Sequence, residues 1–225
     1  MSECEHTFRK PWGLLVVAVV YAAAVLLIDT LASRGSQAPI DWSWFRWGGG
    51  GGFDTFKFVA WLVAPFAIVV WRMDWGYFGF GRWKRTDWIL LGGLALVGAL
   101  AMAVVAMSPT LRATYPSMAG AAVAEKWRFV TFNLLWLLSW LIGWEYLHRY
   151  FLLKPLSICL PRWGWLIVPI FEGVYHLQKP ALETVGMVAI SLVLTYWAMK
   201  RRNVVLPFLA HLIIELELLA FVLLV

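Results

Sequence analysis

Cysteine is nearly absent from this chain: 225 residues hold two, Cys4 and Cys159. They supply neither a disulfide framework nor a Cys-x-x-Cys metal or redox spacing. Charge is scarce as well. Asp, Glu, Lys and Arg make up 14% of the residues, against about a quarter in an ordinary soluble domain. Hydrophobic residues reach 62% and the mean hydropathy is +0.74. Such a composition excludes a soluble globular domain and fits a polytopic membrane protein. The 16 Trp agree, because indole favours the headgroup level of a bilayer. The glycine run Gly48–Gly52 is not followed by Gly-Lys-Ser/Thr, so it reads as a loop and not as a phosphate cradle. The net charge of +6 has no aromatic-basic interleaving around it. It reads as membrane topology, and nucleic acid is not an expected partner.

Apolar segments close to the roughly 20 residues that span a bilayer occur at 11–31, 56–72, 88–107, 130–153, 164–178, 184–199 and 204–225. They predict an all-α fold: a polytopic transmembrane bundle of about seven spans. Arg9 and Lys10 precede a long first run with no small-x-small cleavage site, so that run reads as a retained helix. The stretch 110–128, with Arg112, Pro116, Glu125, Lys126 and Arg128, reads as an amphipathic piece along the interface.

Orientation follows from the Lys and Arg residues. With seven spans, one side carries Arg9, Lys10, Arg72, Arg82, Lys84, Arg85, Arg149, Lys154, Arg162, Lys200, Arg201 and Arg202, which is twelve. The other carries Arg34, Arg46, Lys57, Arg112, Lys126, Arg128 and Lys179, which is seven. The N-terminus is therefore expected in the cytoplasm, in a bacterial-type cytoplasmic (inner) membrane.

Ionisable residues in the second half fall where the hydropathy argues against them. Glu145, Glu172, Glu183, Glu215 and Glu217 all lie within or at the ends of apolar segments, as do His176 and His211. A charge at mid-bilayer costs about 2.5–3.5 kcal/mol even on a lenient scale. The economical arrangement turns these groups toward one another. Glu145 is fifteen residues before Leu160 and His176 sixteen after it, so in an antiparallel hairpin they sit at equal depth. His211 enters the same region from the Lys200–Asn203 turn. Glu145 and Arg149, Glu172 and His176, and His211 and Glu215 are i,i+4 pairs, each on one helix face.

A carboxylate and an imidazole can together deprotonate a water molecule, and a second imidazole can donate to an oxyanion. Arg149 can hold Glu145 ionised and oriented. That set suffices for amide hydrolysis without a nucleophilic side chain. Neither Gly-x-Ser-x-Gly nor His-Glu-x-x-His is present, so a serine site and a zinc site are not expected, and no cofactor is called for. Plainer roles stand beside these. Glu145–Arg149 could be a structural ion pair, and Glu183, just after Pro180, could serve a helix start. Glu217 is expected to face away from Glu215, His148 to lie at the interface, and the tryptophans to form belts.

The same residues carry a family resemblance. Over 130–220 the chain resembles the CPBP family, the CAAX-protease and bacteriocin-processing intramembrane glutamic endopeptidases. "WEYLHRYFL" matches the family's Glu-Glu-x-x-x-Arg through Glu145 and Arg149, with Trp144 in the first position. "EGVYH" matches Phe-x-x-x-His through His176, with Glu172 where Phe is usual. "HLIIE" matches His-x-x-x-Asn/Asp through His211 and Glu215. The stretch "HLQKPALETV" looks like a branch with Trp-Glu-x-x-x-Arg followed by His-x-x-Lys-Pro-x-x-Glu-Thr.

The resemblance implies proteolysis within the membrane, with no metal requirement. Glu145 and His176 would activate water and His211 would lie near the oxyanion. Arg149, Glu183, Glu172 and Glu215 would support them, Glu172 or Glu183 being alternative bases in place of the missing first Glu. The expected partner is a membrane-associated peptide or protein in the lipid bilayer. The expected division is 1–128, N-terminal helices and loops, and 129–225, a catalytic four-helix membrane core. A catalytically silent member that binds a peptide, acting as a membrane scaffold, and a small transporter are the alternatives. The first is favoured by Trp144; the second is weakened by the lack of an inverted repeat.

Overall fold

A computed structural model describes residues 11–34, 52–78, 83–113, 115 and 117–224. Arg9, Lys10 and most of the glycine run lie outside them. Among the described residues are seven longer helices: α1 Trp12–Arg34, α2 Thr55–Arg72, α3 Arg85–Met107, α4 from Val123 to Cys159, α5 from Gly164 to His176, α6 Ala181–Arg201 and α7 Val205–Leu224. No strand occurs among the described residues. Helices α1, α2, α3, α6 and α7 are long and apolar enough to cross a membrane. Large apolar side chains such as Trp71, Trp88, Leu100 and Val104 stay exposed on the outside, as a lipid-facing surface requires. The protein is an all-α membrane bundle.

The fourth helix begins at Val123, not near 130. Its start is fixed by Glu125, whose carboxylate accepts the Ala122 N–H at 3.0 Å. Glu125, Lys126 and Arg128 therefore belong to α4. What remains of the expected interfacial piece includes one helical turn, Pro109–Arg112.

Helix α4 is the axis of the bundle. Every residue from 143 to 153 is buried, because α1, α2, α5, α6 and α7 surround it. Midway, Leu147–Leu152 widen into a π turn before Leu153–Cys159 resume the α-helix. Pro155 lies just beyond and cannot donate to the ladder, and wide turns of this kind gather at functional sites. Helix α2 repeats the pattern, with Phe58–Val63 wide and Pro65 following. The two cross where α4 has no side chain: a Cβ on Gly143 would stand 2.9 Å from the Trp61 Cβ and 3.2 Å from its carbonyl carbon. Small residues permit such approaches in membrane proteins.

One end of the bundle is closed by polar contacts. Asp74, after α2, pairs with Arg202 at 2.6 Å and with Lys154 of α4 at 3.7 Å. Its backbone N–H donates to the Tyr150 hydroxyl at 2.6 Å. Arg202 adopts a left-handed conformation, φ 47°, that ends α6. Asn203 then caps α7, accepting from the Val205 and Leu206 N–H groups at 2.9 and 3.2 Å. This tight turn sets the depth of His211, two turns further on.

Two predictions follow from this packing. Gly143→Leu forces α2 away from α4 and lowers stability by about 1–3 kcal/mol. Gly92→Ala, with nothing within 4 Å, leaves it unchanged or raises it by up to about 1 kcal/mol; detergent-solubilised unfolding compares the two. Burial pushes the Asp74 carboxyl up, but the Arg202 hydrogen bond and the charges of Lys154 and Arg202 bring it below the usual carboxylate range. A carboxyl held low in the fold stabilises at neutral pH, and that contribution disappears as the pH falls through its folded value. Asp74→Asn should therefore flatten the acid limb of thermal stability against pH.

Candidate functional site

The site grows from one buried cation. Arg149 is fully buried at the π turn of α4. Its Nε lies 3.6 Å from Glu145 Oε2, one turn earlier. Its Nη2 donates to Glu172 Oε2 of α5 at 3.1 Å and lies 3.5 Å from Ser191 Oγ of α6, while Nη1 pairs with Glu172 Oε1. A guanidinium offers its donors in a flat fork and so can face two carboxylates at once. The two acids, both within 1% of full burial, are thereby held by one charge, and three helices are tied together.

Glu145 meets the last helix. His211 Nδ1 lies 2.7 Å from Glu145 Oε1, and both groups are buried. An ionised carboxylate only accepts, so Nδ1 carries the proton and donates. The other nitrogen of His211, Nε2, lies 3.6 Å from Glu215 Oε1. The Trp140 ring stands edge-on to the imidazole, centroids 5.5 Å apart. The remaining Glu145 oxygen, Oε2, is the one that faces Arg149 Nε, at ion-pair distance without a hydrogen bond.

His176 packs against Trp144, the neighbour of Glu145, but its hydrogen bond goes elsewhere. It ends α5 with Nδ1 2.8 Å from the Glu172 carbonyl oxygen, and its ring lies 5.7 Å from that of Trp144. No hydrogen bond or ion pair joins it to Glu145. His176 is instead within electrostatic reach of Glu183, Lys179, His211 and Glu215. With Nδ1 engaged by a carbonyl, Nε2 is its unprotonated nitrogen and can take a proton.

Glu183 sits in the first turn of α6, where a helix start favours an anion. It also accepts a hydrogen bond from Tyr115 at 3.1 Å and pairs with Lys179 at 3.7 Å. Glu217 points away, as expected, with its carboxylate against Gly98 of α3.

Several groups escaped the sequence reading. His148 is fully buried, not interfacial: Nδ1 lies 2.9 Å from the Trp144 carbonyl oxygen and its ring 4.1 Å from that of Trp144. Trp61, Trp140 and Trp144 are interior walls, while Trp71, Trp75 and Trp163 are exposed as a belt requires. Asp29 of α1, Lys57 of α2 and Tyr175 of α5 form a polar cluster, with Tyr175 donating to Asp29 at 2.5 Å and Lys57 3.7 Å from Asp29. An acid inside the apolar α1 run was the available signal. An apolar groove of about 400 Å³ between α1 and α5 reaches Tyr175, but Glu145, His176 and His211 do not line it.

The arrangement thus offers an oriented carboxylate hydrogen-bonded to one imidazole, a second imidazole with a free nitrogen, and a cation that keeps the acid in place. Together they can move protons onto and off a bound molecule.

Residues 126–216 match the family model described as Type II CAAX prenyl endopeptidase Rce1-like. The match agrees with the CPBP resemblance and spans all the site residues from Glu145 to Glu215. It supports an intramembrane endopeptidase in general terms. Comparisons with curated proteins and with solved structures find no match.

Arg149→Met leaves Glu145 and Glu172 buried without their shared cation. The expected loss of stability is about 3–5 kcal/mol, measured as unfolding in detergent. A loss below about 1 kcal/mol would contradict this placement of the guanidinium.

Proposed function

We propose that the protein is an endopeptidase of the glutamic type that hydrolyses a peptide bond of a membrane-associated protein or peptide. The observation that carries the reading is the buried Glu145–His211 hydrogen bond of 2.7 Å, backed by Arg149. Glu145, through the oxygen that faces Arg149, and His176, with an unprotonated Nε2, act as the bases. As an imidazolium, with Glu145 at Nδ1 and Glu215 at Nε2, His211 donates Nδ1–H to Glu145 and offers Nε2–H to the oxyanion that forms when water attacks the carbonyl. The proton taken from water then passes to the leaving amine. Arg149 positions Glu145, and Glu172 positions Arg149. Glu215 faces the donating nitrogen of His211, and Glu183 supports His176.

The substrate's cleavable segment and the lipid bilayer are the proposed partners, in a bacterial-type cytoplasmic membrane with the N-terminus inside. Trp144 occupies the first position of the motif and packs on His148 and His176. Glu145 therefore takes the role of base that the first motif Glu has in the wider family, with Glu172 or Glu183 as the alternative.

The test compares protein N-termini in cells making the wild type, Glu145→Gln and Glu217→Gln. Termini that need the wild type or Glu217→Gln, and fall at least about 100-fold in Glu145→Gln, support the reading and identify the substrate. Termini identical in all three would instead favour a binding role. With the substrate in hand, cleavage should be insensitive to strong chelators.

A further inference from the structure

The segment between α3 and α4 lies before the family-matched region, yet it reaches the site. Tyr115 donates its hydroxyl to Glu183 Oε2 at 3.1 Å across 68 residues of sequence. The phenol also feels the charge of Glu215 on α7, so it stands where α6 and α7 both present an acid. Burial, then the nearby Glu183 carboxylate, push the Tyr115 hydroxyl well above its ordinary range, so it remains a donor at any physiological pH.

Its position is enforced. The Met118 N–H donates to the Val222 carbonyl at 2.9 Å, and Lys126 Nζ donates to the Leu223 and Ala119 carbonyls at 3.4 and 3.1 Å. Met118 and Lys126 are thus pinned to the end of α7.

The Glu183 charge acts on His176, and the neighbouring Thr184 hydroxyl donates to the His176 carbonyl at 2.7 Å. Lys179, 3.7 Å from the other Glu183 oxygen, is half exposed and competes for the carboxylate. Without a second donor, Glu183 would be free to follow this mobile-stemmed cation outward. The phenol is the donor that holds it inward.

We propose that Tyr115 is a positioning residue for the site. It fixes Glu183 beside His176, so that His176 keeps the charge environment and the shielding it needs as a base. This rests on the proteolytic reading for its purpose, though not for its measurement. The proposal gives the connection between α3 and α4 a part in the chemistry.

The test uses the full-length protein in phospholipid nanodiscs and diethyl pyrocarbonate, which modifies unprotonated imidazole, with His176 followed by mass spectrometry. Tyr115→Phe keeps the ring and removes only the donor. It should raise the rate of His176 modification about threefold, through lost shielding of the ring. Glu183→Gln should raise it similarly, and the double variant no further, since both break one link. An unchanged rate in Tyr115→Phe, or additive effects in the double variant, would overturn the proposal.

On the cleaved substrate, Tyr115→Phe should lower kcat about 10-fold with KM unchanged, the size of one hydrogen bond to a charged group. If Glu145→Gln abolishes cleavage while Tyr115→Phe leaves His176 and kcat untouched, this inference alone fails. If cleavage persists in Glu145→Gln, the proteolytic reading fails and the His176 rates still decide the clasp.

Discussion

A guanidinium shared by two buried carboxylates is the interaction on which this structure depends. Arg149 faces Glu145 on its own helix and Glu172 on the next, in an interior where an unpaired ion costs several kcal/mol. No bulk solvent is at hand to replace a lost partner. The helices carrying these groups must therefore stay in register, and the packing shows how they do. Gly143 lets α2 lie against α4, the π turn carries Arg149 toward α5 and α6, and the Arg202–Asn203 turn delivers His211 to Glu145.

A buried ion pair alone contributes little to stability and is often no better than well-packed apolar residues. Its value is geometric. Arg149 fixes one side of Glu145, which leaves the other side to His211. Aromatic walls add a second constraint, because Trp140 and Trp144 stand beside His211 and His176. The rings crowd the histidines while leaving their outer nitrogens to polar partners. A site of this kind can place a proton at a chosen atom in surroundings where free water is scarce.

The sequence reveals the fold through hydropathy, and the candidate site through the places where hydropathy is violated. Glu145, Arg149 and His211 stand out because a lipid environment punishes them unless they pair. Which of them pair is less legible. The equal spacing of Glu145 and His176 from Leu160 suggested their meeting, while the hydrogen bonds run from Glu145 to His211 and from His176 to the Glu172 carbonyl. His148 and three tryptophans read as interfacial from composition, yet they pack inside the bundle around the second half of α4. Tyr115 and Ser191 were invisible, since nothing local marks a hydroxyl whose partner is 68 or 42 residues away.

The central claim is that Glu145 and His211 share a hydrogen bond inside the bundle. Nitrogen NMR of histidine-labelled protein in phospholipid bilayers addresses it directly, with wild type and Glu145→Gln compared. The account predicts a protonated, strongly hydrogen-bonded Nδ1 on His211 that shifts when the carboxylate is replaced, while His148 keeps its bond to the Trp144 carbonyl. A His211 spectrum indifferent to Glu145→Gln would contradict it.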